Sequence, residues 1–470
     1  MSDSNESHVM LNVNNPFNGQ LIEQVAVNTA EDVEQALARA HALFEDRSAW
    51  LPAYQRIEIL ERAAQIMSNR VEALTLLAAE EGGKPYADSK VEVLRAINGL
   101  KLAIEHIPQI KGEQIPMGHT ASSVNRLAFT QREPIGVVSS VSAFNHPLNL
   151  IVHQTVPAIA VGAPVIIKPA QTTPLSCLKF VEILQEAGLP EGWCQALIVG
   201  NEDAEKLVVD ERVNFFSFIG SAKVGWMLRS KLSPGTRCAL EHGGAAPVIV
   251  DRSADVESVI DSVLKGGFYH AGQVCVSVQR VYVHETACDE LAAKLAEKAS
   301  QLIVGDPLDE KTEVGPLILP REVDRVSQWV EQARESGAKV LCGGKKLSET
   351  CYAPTVLLNP DDTATVSQNE IFGPVVCIYS YKDKSEAIAR ANALPYAFQA
   401  SIYTNDLTDA LDTSSKLNAT AVMVNDHTAF RVDWMPFGGR DASGLGMGGI
   451  QYSMHDMTRE KMLVIKSTVL

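Results

Sequence analysis

Two residues of this chain together have the chemistry to form a covalent bond to a carbonyl carbon and to release it with water. Cys275 ends a Gly-Gln-Val-Cys run that begins at Gly272, and Glu241 opens a Glu-His-Gly-Gly run earlier in the chain. A thiolate attacks a carbonyl carbon and holds it covalently, and a carboxylate of suitable pKa activates the water that releases the product. Alone, a cysteine is more often a small buried side chain and a glutamate a solvated charge. The neighbouring glycines, which allow close backbone approach or positive φ, favour the catalytic interpretation.

Asn145 and the residues that follow it form a second candidate group. Asn145 begins an Asn-His-Pro run, and a proline at a first helical position predicts that a helix opens here. An amide at that point can donate to a developing oxyanion, which is worth about 3–4 kcal/mol in the transition state; plain helix capping is the alternative. On the predicted helix, His146, Asn149 and His153 share one face. They predict a polar pocket wall rather than a metal site, because no carboxylate or cysteine shares this face.

Two strand ends carry candidate cofactor residues. The apolar run 165–168 ends at Lys168, before a proline, and the carboxyl ends of strands face the ligand crevice in a doubly wound sheet. Lys168 is therefore a candidate for binding a ribose or a phosphate, with an ordinary surface lysine as the alternative. Gly220 and Ser221 stand between an apolar run and a predicted helix, where free amides favour a pyrophosphate. Ser221 acting only as the helix N-cap is compatible with the same pattern.

Two later loops add further candidates. Glu370 and Phe372 precede a Gly-Pro turn, where the ring can stack on a cofactor and the acid can hold a ribose; a charged loop with a core phenylalanine is the alternative. His427 and Arg431 precede a Pro-Phe-Gly-Gly loop. Arg431 is the natural cation for an anionic substrate group, because a guanidinium stays charged and matches the geometry of carboxylates and phosphates. A surface arginine without a ligand is the alternative.

Composition and charge exclude several classes of function. The 470 residues are too many for one compact core, so two or three domains are expected. The net charge of −16, without a dense Lys/Arg block, argues against binding to nucleic acid. The stretch 134–167 has no charged residue, but its polar side chains and four prolines argue against a membrane span.

The eight cysteines indicate the compartment. None stands in a Cys-x-x-Cys or zinc-finger pattern, so neither a disulfide scaffold nor a metal site is predicted, and a reducing compartment fits best. Residues 1–5 are polar and lack the apolar core of a secretory signal. We therefore expect a cytoplasmic protein.

The elements that must position these residues alternate between helix and strand. Helical spacing of apolar residues comes first, at 31–46, 54–81 and 90–106. Strands are predicted at 135–141, 165–168, 196–199, 214–219 and 248–250, with helices at 174–186 and 202–209 between them. This alternation predicts an α/β fold with a parallel sheet covered on both faces.

A second α/β region is predicted further along the chain. Its strands lie near 276–284, 375–381, 401–404 and 421–425, and its helices at 288–302 and 320–336. Residues 461–469 have the pattern of a terminal strand. Together with 114–131 they predict an arm that pairs with a neighbouring subunit.

In order and spacing, these motifs resemble the aldehyde dehydrogenase superfamily over nearly the whole chain, from Pro16 to the tail. The resemblance rests on Asn145, Lys168-Pro169, Gly220-Ser221, Glu241, Gly243-Gly244, Cys275, Glu370, Phe372 and Pro436-Phe437-Gly438-Gly439. It implies a Rossmann-like cofactor-binding domain at 1–111 and 129–242, an α/β catalytic domain at 243–440 and a small β oligomerisation arm at 112–128 and 453–470. It also implies a homodimer or homotetramer.

The resemblance implies a role for each catalytic candidate. Cys275 would attack the aldehyde to form a thiohemiacetal, whose oxyanion Asn145 and the Cys275 amide would hold. Hydride would leave for the nicotinamide of NAD or NADP, and Glu241 would activate the water that hydrolyses the resulting thioester. Because a free cysteine is only a few per cent ionised at pH 7, a helix amino terminus or a nearby base must help. The residues implied in cofactor binding are Phe144, Lys168, Gln171, Gly220, Ser221, Gly225, Gly243, Glu370 and Phe372.

Three residues depart from the pattern of the family. Gln171 stands where many relatives carry a ribose-binding glutamate, so repulsion of a 2′-phosphate is lost and NADP becomes acceptable beside NAD. His242 stands where relatives usually carry leucine, near the nicotinamide. Ile219 replaces a usual threonine, with no consequence that the residues reveal.

The candidate substrate residues are His146, Asn149, His153, His427 and Arg431. In relatives that prefer apolar aldehydes, the face corresponding to the first three is largely aromatic and aliphatic, whereas here it is polar. The expected substrate is therefore a small polar or anionic aldehyde: a semialdehyde, hydroxyaldehyde, phosphoaldehyde or sulfoaldehyde.

Two alternatives stay open at this point. A CoA-acylating dehydrogenase keeps the cysteine but commonly lacks the hydrolytic glutamate, so Glu241 argues against it. A structural or binding protein on the same scaffold would have lost catalytic groups, yet Cys275, Glu241 and Asn145 are all present.

Overall fold

Two large β-sheets organise residues 9–470, the part of the chain that this computed structural model describes. The polar residues 1–5, on which the expectation of a signal-free start rests, lie outside that part. The strands are Met10–Asn14 (β1), Leu21–Ala26 (β2), Gln114–Ile115 (β3), Arg126–Pro134 (β4), Val137–Val141 (β5), Val165–Lys168 (β6), Cys194–Ala196 (β7), Val213–Ile219 (β8), Arg237–Glu241 (β9), Ala246–Val250 (β10), Val278–His284 (β11), Lys339–Cys342 (β12), Thr355–Leu358 (β13), Val375–Tyr381 (β14), Tyr396–Ala397 (β15), Gln399–Tyr403 (β16), Ala421–Val424 (β17), Arg440–Asp441 (β18), Gly444–Leu445 (β19) and Thr458–Lys466 (β20).

Helices cover both large sheets. They are Ala30–Glu45 (α1), Ala53–Asn69 (α2), Val71–Gly82 (α3), Tyr86–His106 (α4), Asn149–Val161 (α5), Leu175–Glu186 (α6), Asn201–Val209 (α7), Ala222–Arg229 (α8), Val256–Phe268 (α9), Glu285–Gln301 (α10), Pro320–Glu335 (α11), Thr365–Gln368 (α12), Lys384–Ala391 (α13), Leu407–Lys416 (α14) and Ile450–Asp456 (α15). The predicted α/β class is confirmed, and most predicted elements agree with these bounds to within a few residues.

The segment 54–81, predicted as one helix, is two helices, α2 and α3. Arg70 between them has φ −118° and ψ 19°, outside the helical range, and its amide donates to the carbonyl of Met67. The prediction of a single helix was wrong because neither proline nor glycine marks the break. The second helix ends at Gly83, whose φ of 70° provides the left-handed cap that glycine favours.

The six-stranded sheet has the order β19-β9-β8-β5-β6-β7, and only β19 runs antiparallel to its neighbour. The strand that comes first in the chain, β5, lies between β6 and β8, so the chain order reverses there. Ligands of open α/β sheets bind beside this point, outside the carboxyl ends of the strands. At or just beyond these carboxyl ends lie Asn145, Lys168, Gly220 and Glu241.

The seven-stranded sheet has the order β12-β13-β14-β11-β10-β16-β17, parallel except for β12. The chain enters it from the first sheet through Gly243 and Gly244, between β9 and β10. Cys275 lies just before β11 and Glu370 just before β14, so both stand near the amino ends of parallel strands. These ends lie opposite the carboxyl edge of the six-stranded sheet, and the two groups of candidate residues therefore meet in one cleft.

A three-stranded sheet joins parts of the two segments that were predicted to form an arm. β20 pairs antiparallel with β4, from Thr458 opposite Pro134 to Lys466 opposite Arg126, and β3 pairs with β4 on its other side. The pairing reaches Pro134, beyond the expected arm boundary at 128. At the other boundary, α15 occupies residues 450–456 and packs on α4 and α5, so the arm strand begins only after it.

The charge-free stretch 134–167 contains β5, α5 and most of β6, and every residue of α5 is buried. No helix within residues 9–470 has the length and apolarity that crossing a membrane requires. Over the same residues, no group of three or more His, Cys, Asp or Glu side chains is placed to hold a metal ion.

Candidate active site

A cleft of about 590 Å³ lies between the facing edges of the two large sheets. Twelve of the candidate residues line it: Phe144, Asn145, His146, Asn149, Gly220, Ser221, Glu241, Gly243, Cys275, Glu370, Phe372 and Arg431. Five do not belong to its lining: Lys168, Gln171, His153, Gly225 and His427. Residues that are widely separated along the chain are thus brought to one cavity.

The segment before Cys275 has an unusual backbone. His270, Ala271 and Gly272 have φ of 48°, 53° and 70°, a left-handed run that non-glycine residues adopt at a cost of about 1–3 kcal/mol each. Gln273 secures this segment, because its side-chain amide donates to the carbonyls of His270 at 3.3 Å and Pro316 at 3.2 Å. The turn ends in Cys275, which is half-buried in the cleft.

The surroundings of Cys275 keep its thiol protonated. Burial raises its pKa well above the ordinary value, the nearby Glu241 carboxylate raises it further, and the Arg431 guanidinium acts in the opposite direction. No helix begins at Cys275, which lies in the turn ahead of β11. Of the two aids expected for thiolate formation, the structure therefore supplies a facing base and not a helix amino terminus.

Asn145 lies four residues before the helix rather than at its start, so the expectation that a helix opens at Pro147 was wrong. The amides of Leu148 and Asn149, at the beginning of α5, donate to the Glu92 carboxylate at 2.9 and 3.0 Å. Glu92 performs the capping, and it is itself paired with the buried Lys84. Asn145 is thereby free of a capping role. Its Nδ2 donates to the Gln273 carbonyl at 2.8 Å, and the second amide hydrogen is left for a ligand in the cleft.

Glu241 ends β9 and faces the same cavity. Burial raises its pKa to about 6, and the Arg431 guanidinium opposes that shift. A carboxylate with this pKa is ionised at neutral pH and is a stronger base than an exposed glutamate. The arrangement therefore provides a base beside a protonated thiol.

The first turn of α8 offers open amides to the cleft. Ser221 occupies the N-cap position, but its side chain makes no capping hydrogen bond, so simple capping does not account for it. Gly225 lies one turn further on, where a Cβ would come within 2.0 Å of the His242 ring. The His242 ring is buried there, and its Nδ1 donates to the Gly220 carbonyl at 3.0 Å. His242 thus supports the loop from beneath.

Glu370 and Gly243 require each other. The Gly244 amide donates to the Glu370 carboxylate at 3.2 Å, and a Cβ on Gly243 would lie 1.7 Å from the same oxygen. Burial raises the pKa of Glu370 to about 8. Phe372, with a φ of 47°, meets the ring of Phe144 edge-on with 5.9 Å between centroids. The pair forms an aromatic wall beside a carboxyl group that retains hydrogen-bonding capacity.

Lys168 and Gln171 lie at the rim of the cleft. Lys168 is buried at the end of β6, and burial lowers its pKa. Gln171 is exposed, and its Nε2 donates to the Val199 carbonyl at 3.2 Å. Its neighbours Ala170 and Thr172 line the cleft. A ligand that extends from Cys275 past Glu370 and α8 would reach this rim.

Two of the predicted polar wall residues face the cavity directly. His146 Nε2 lies 3.3 Å from the Tyr269 hydroxyl, and burial lowers the pKa of His146, so its ring is neutral. The side-chain oxygen of Asn149 is buried without a hydrogen-bond partner in the structure. These polar atoms are suited to a hydroxylated or otherwise polar ligand.

A chain of charged and polar side chains lies at the end of the cleft where the substrate is expected. The sequence predicts two of its members, His153 and Arg431, but not Arg95 or Asp433. Arg95 donates through two nitrogens to Asp433, at 2.7 and 3.1 Å. His153 Nε2 donates to the same carboxylate at 2.9 Å, and Arg431 Nη2 donates to His153 Nδ1 at 3.5 Å. Burial lowers the pKa of His153 to about 4, which keeps the ring neutral for both contacts. Arg431 also stacks on the Phe437 ring, 3.6 Å from its centroid.

His427 does not join this group. Its ring packs against α9, where a Cβ on Gly266 would lie 2.7 Å from the His427 Cβ. The prediction that His427 closes the substrate pocket was therefore wrong, because its side chain does not reach the cleft. Its loop contributes Arg431 instead, together with Asp433 behind the lining.

Comparisons with known proteins agree with this geometry. The profile of the aldehyde dehydrogenase family matches residues 2–463. The 3-sulfolactaldehyde dehydrogenase of Priestia aryabhattai is 39% identical over 456 residues, which cover 97% of this chain and 94% of that enzyme. The resemblance noted from the motifs is thereby confirmed.

Solved structures agree in fold and extent. Aldehyde dehydrogenase 21 from Physcomitrella patens, in complex with the reaction product succinate, superposes with a TM-score of 0.94 at 36% identity, over 98% of this chain and 96% of that one. Glyceraldehyde-3-phosphate dehydrogenase GapN from Methanocaldococcus jannaschii, complexed with NADP, gives 0.93 at 35% identity, over 98% and 100%. The chain belongs to the aldehyde dehydrogenase family and is an NAD(P)-dependent aldehyde dehydrogenase.

Proposed function

We propose that this enzyme oxidises a small aldehyde carrying a polar or anionic group to its carboxylate, through a covalent intermediate on Cys275. One observation carries the proposal: a thiol, a base, an amide donor and a cation line the same cleft, as Cys275, Glu241, Asn145 and Arg431.

The first step is attack by sulfur. Because the pKa of the Cys275 thiol is raised, the proton has to leave as the carbon–sulfur bond forms. Two carboxyl groups, Glu241 and Glu370, act electrostatically on this sulfur. Glu241, with a pKa of about 6, is ionised at neutral pH, whereas Glu370, with a pKa of about 8, is largely protonated, so Glu241 is suited to receive the proton. The aldehyde oxygen becomes an oxyanion that the free hydrogen of Asn145 Nδ2 and the Cys275 amide hold.

The following steps release the product. A bound NAD or NADP supplies the acceptor for the hydride that leaves the thiohemiacetal. Cys275 then carries a thioester. Glu241 first passes the thiol proton to solvent and then takes a proton from water, and the resulting hydroxide attacks the thioester carbon. As the carbon–sulfur bond breaks, the thiolate recovers the proton from Glu241, and the product leaves as the carboxylate after losing its own proton to solvent.

The residues along the cleft fit such a cofactor. Open amides at Ser221 suit a pyrophosphate. The Glu370 carboxyl accepts a hydrogen bond from the Gly244 amide at Oε1, and its other oxygen is available to a ribose hydroxyl. Lys168 is the candidate for the adenosine ribose. Gln171 carries no charge to repel a 2′-phosphate, so NADP is accepted beside NAD. Phe144, Phe372, Gly220, Gly225 and Gly243 complete the proposed cofactor site.

The substrate class follows from the opposite end of the cleft. His146 and Asn149 present polar atoms, and Arg431 presents a cation, whereas an apolar aldehyde would leave these groups without partners. The names of similar proteins support this choice, since they refer to 3-sulfolactaldehyde, to glyceraldehyde 3-phosphate and to succinate as a product.

The proposal extends to assembly and location. β17 and β20 are each the outermost strand of their sheet, and the consecutive apolar residues Met462 to Ile465 of β20 are exposed on both faces of the strand. Unpaired edges of this kind invite pairing with a second copy, which supports a homodimer or homotetramer and an arm distinct from cofactor-binding and catalytic parts.

All eight cysteines are unpaired, which supports a reducing, cytoplasmic location.

An aldehyde panel tested with both cofactors checks the proposal. Succinate semialdehyde, glyceraldehyde 3-phosphate and lactaldehyde are compared with hexanal by kcat/KM, with the product identified in the presence and absence of CoA. We expect at least one polar aldehyde to exceed hexanal and the free acid to form in both cases. A preference for hexanal would refute the substrate class, and acyl-CoA formation would refute the hydrolytic step.

A further inference from the structure

Two arginines face the substrate end of the cleft, but only Arg95 is hydrogen-bonded to a carboxylate, whereas Arg431 contacts the neutral His153. Arg95 and Arg431 both belong to the lining. Two nitrogens of Arg95 donate to the Asp433 carboxylate. Because Asp433 is only 2% exposed, solvent ions screen its charge weakly. Burial acts to raise the pKa of Asp433, but hydrogen bonds from His153 and Arg95 hold that pKa far below its ordinary value. This carboxylate therefore stays ionised.

The histidines around the two arginines add no further positive charge. Burial lowers the pKa of His146, His153 and His270, which are neutral at physiological pH. Burial also raises the pKa of Tyr269 and of the Cys275 thiol, so neither contributes charge of its own.

The charged groups near the two arginines include a buried ion pair and two further carboxyl groups. Lys84 is paired with Glu92 in a fully buried contact. Behind this pair, burial raises the pKa of Asp88 to about 6, with Lys84 and Lys265 opposing the shift. Glu241, ionised above pH 6, adds a negative charge on the catalytic side. Among residues 9–470, no carboxylate hydrogen-bonds to Arg431, although the charges of Glu241 and Asp433 act on it. Its guanidinium is therefore the cation available to a head group.

We propose that Asp433 makes this cleft selective for aldehydes with a singly charged head group, a sulfonate or a carboxylate, over those with a doubly charged phosphate. The proposal rests on the proposed function and narrows it. Asp433 does not touch the substrate. It acts through Arg95 and His153, by cancelling one charge and by orienting the ring that receives Arg431.

The physical basis is a charge mismatch. A phosphate monoester carries nearly two negative charges above its second pKa of about 6, whereas a sulfonate carries one throughout the range from pH 6 to pH 8. Arg431 can match one charge. The second would lie near Asp433 and Glu241, in a partly buried cavity where like charges interact strongly, and a discrimination of about tenfold or more is expected.

Three aldehydes that share one carbon skeleton test the proposal. Lactaldehyde is neutral, 3-sulfolactaldehyde carries a sulfonate and glyceraldehyde 3-phosphate carries a phosphate. For the wild-type enzyme at pH 8, we expect kcat/KM for the phosphate to be about tenfold or more below that for the sulfonate. The ratio of the phosphate value to the sulfonate value should rise several-fold by pH 6, as the phosphate gains a proton. Protonation of Glu241 near pH 6 lowers the rate with both substrates, and it also removes one of the charges that repel the phosphate, so it changes the ratio in the same direction. A ratio that is flat with pH, or phosphate preferred at pH 8, overturns the proposal.

The variant Asp433→Asn tests the residue itself. It keeps an oxygen to accept from Arg95 and removes the negative charge, so the phosphate-to-sulfonate ratio at pH 8 should rise by about tenfold while lactaldehyde is little affected. Asp426→Asn, the same change in the same loop but directed at His427, should leave all three values near wild type. An equal loss with all three aldehydes in Asp433→Asn would mean a purely structural role and would overturn the proposal.

Two further results separate the possible failures. If Asp433→Asn does not fold, the wild-type ratio and its pH dependence still decide. If none of the three aldehydes is oxidised with either cofactor, it is the proposed function that fails, whereas activity without charge selection refutes this inference alone.

Discussion

The two ends of the cleft are held by different kinds of contact. Around Cys275 the backbone lies so close to its surroundings that only glycine fits: a Cβ on Gly243 would lie 1.7 Å from the Glu370 carboxylate, and one on Gly272 would lie 2.2 Å from a carbonyl oxygen. Around Arg431, position depends on hydrogen bonds between charged and polar side chains. Steric contacts tolerate no added atom, whereas an ion pair can be altered one charge at a time. Substitutions at the first end should therefore stop the chemistry, and those at the second should change which aldehyde reacts.

The largest effect is expected from Cys275→Ala. Without the sulfur no covalent adduct forms, and kcat should fall by at least about 10³-fold, as for other covalent nucleophiles. Binding of NAD(P), followed by fluorescence quenching, should persist. Cys238→Ala is the matched control, since Cys238 is also half-buried but lies outside this cleft. Substantial activity in Cys275→Ala would contradict the assignment.

Glu241→Gln should separate the two halves of the reaction. Loss of the base that activates water should lower steady-state turnover by about 10²- to 10⁴-fold, because proton transfer contributes that much. If another base can take the thiol proton, stopped-flow absorbance should still record one equivalent of NAD(P)H per site. In the wild type, activity should decline as the pH falls through about 6, where Glu241 becomes protonated and can no longer act as a base. Undiminished activity at pH 5 would exclude this role.

Gly243→Ala should damage the cofactor site more than Gly244→Ala, the same change at the next residue. The added methyl group would displace the Glu370 carboxyl, and an error of about 1 Å in a positioning group can cost roughly 10²-fold in kcat/KM. At Gly244 a Cβ meets nothing closer than 3.7 Å, so Gly244→Ala is the control. Titration of NAD(P) against initial rate measures both. Equal effects at the two positions would mean that the steric contact with Glu370 is unimportant.

The smallest effect is expected at His242. His242→Leu removes the hydrogen bond to the Gly220 carbonyl, a loss of about 0.5–1.5 kcal/mol, so KM for the cofactor should rise about two- to tenfold with kcat little changed. Asn places a donor near the position of Nδ1, and His242→Asn should restore part of the affinity. If both variants have the same KM, His242 supports the loop by packing alone.

The first end of the cleft is also the one that the sequence predicts well. Its residues stand in short local runs, such as Glu-His-Gly-Gly at Glu241, where glycine marks the close approach. The strand 375–381 was likewise predicted with the bounds of β14, because its apolar run is bounded by a Gly-Pro turn and a charged segment.

Long-range side-chain contacts account for what was missed. Arg95 and Asp433 are 338 positions apart, and no local pattern distinguishes either from an ordinary charged residue. The start of α5 was misplaced for the same reason, since its cap is the carboxylate of Glu92, distant in the chain, and not a residue beside Asn145. His427 was assigned to the pocket by its proximity to Arg431 in sequence, but the turn between them directs it towards α9.

The central claim is that sulfur 275 forms the covalent bond to the substrate. Glu241→Gln is incubated with NAD(P) and a polar aldehyde at a pH high enough for hydroxide to take the thiol proton, and is quenched in acid once NAD(P)H has formed. It should retain an acyl group. Peptide mass spectrometry is expected to find the mass of that acyl group on the peptide containing Cys275, in a yield that matches the NAD(P)H formed. Aldehyde oxidation with no acyl group on Cys275, or with the acyl group on another cysteine, would contradict the account.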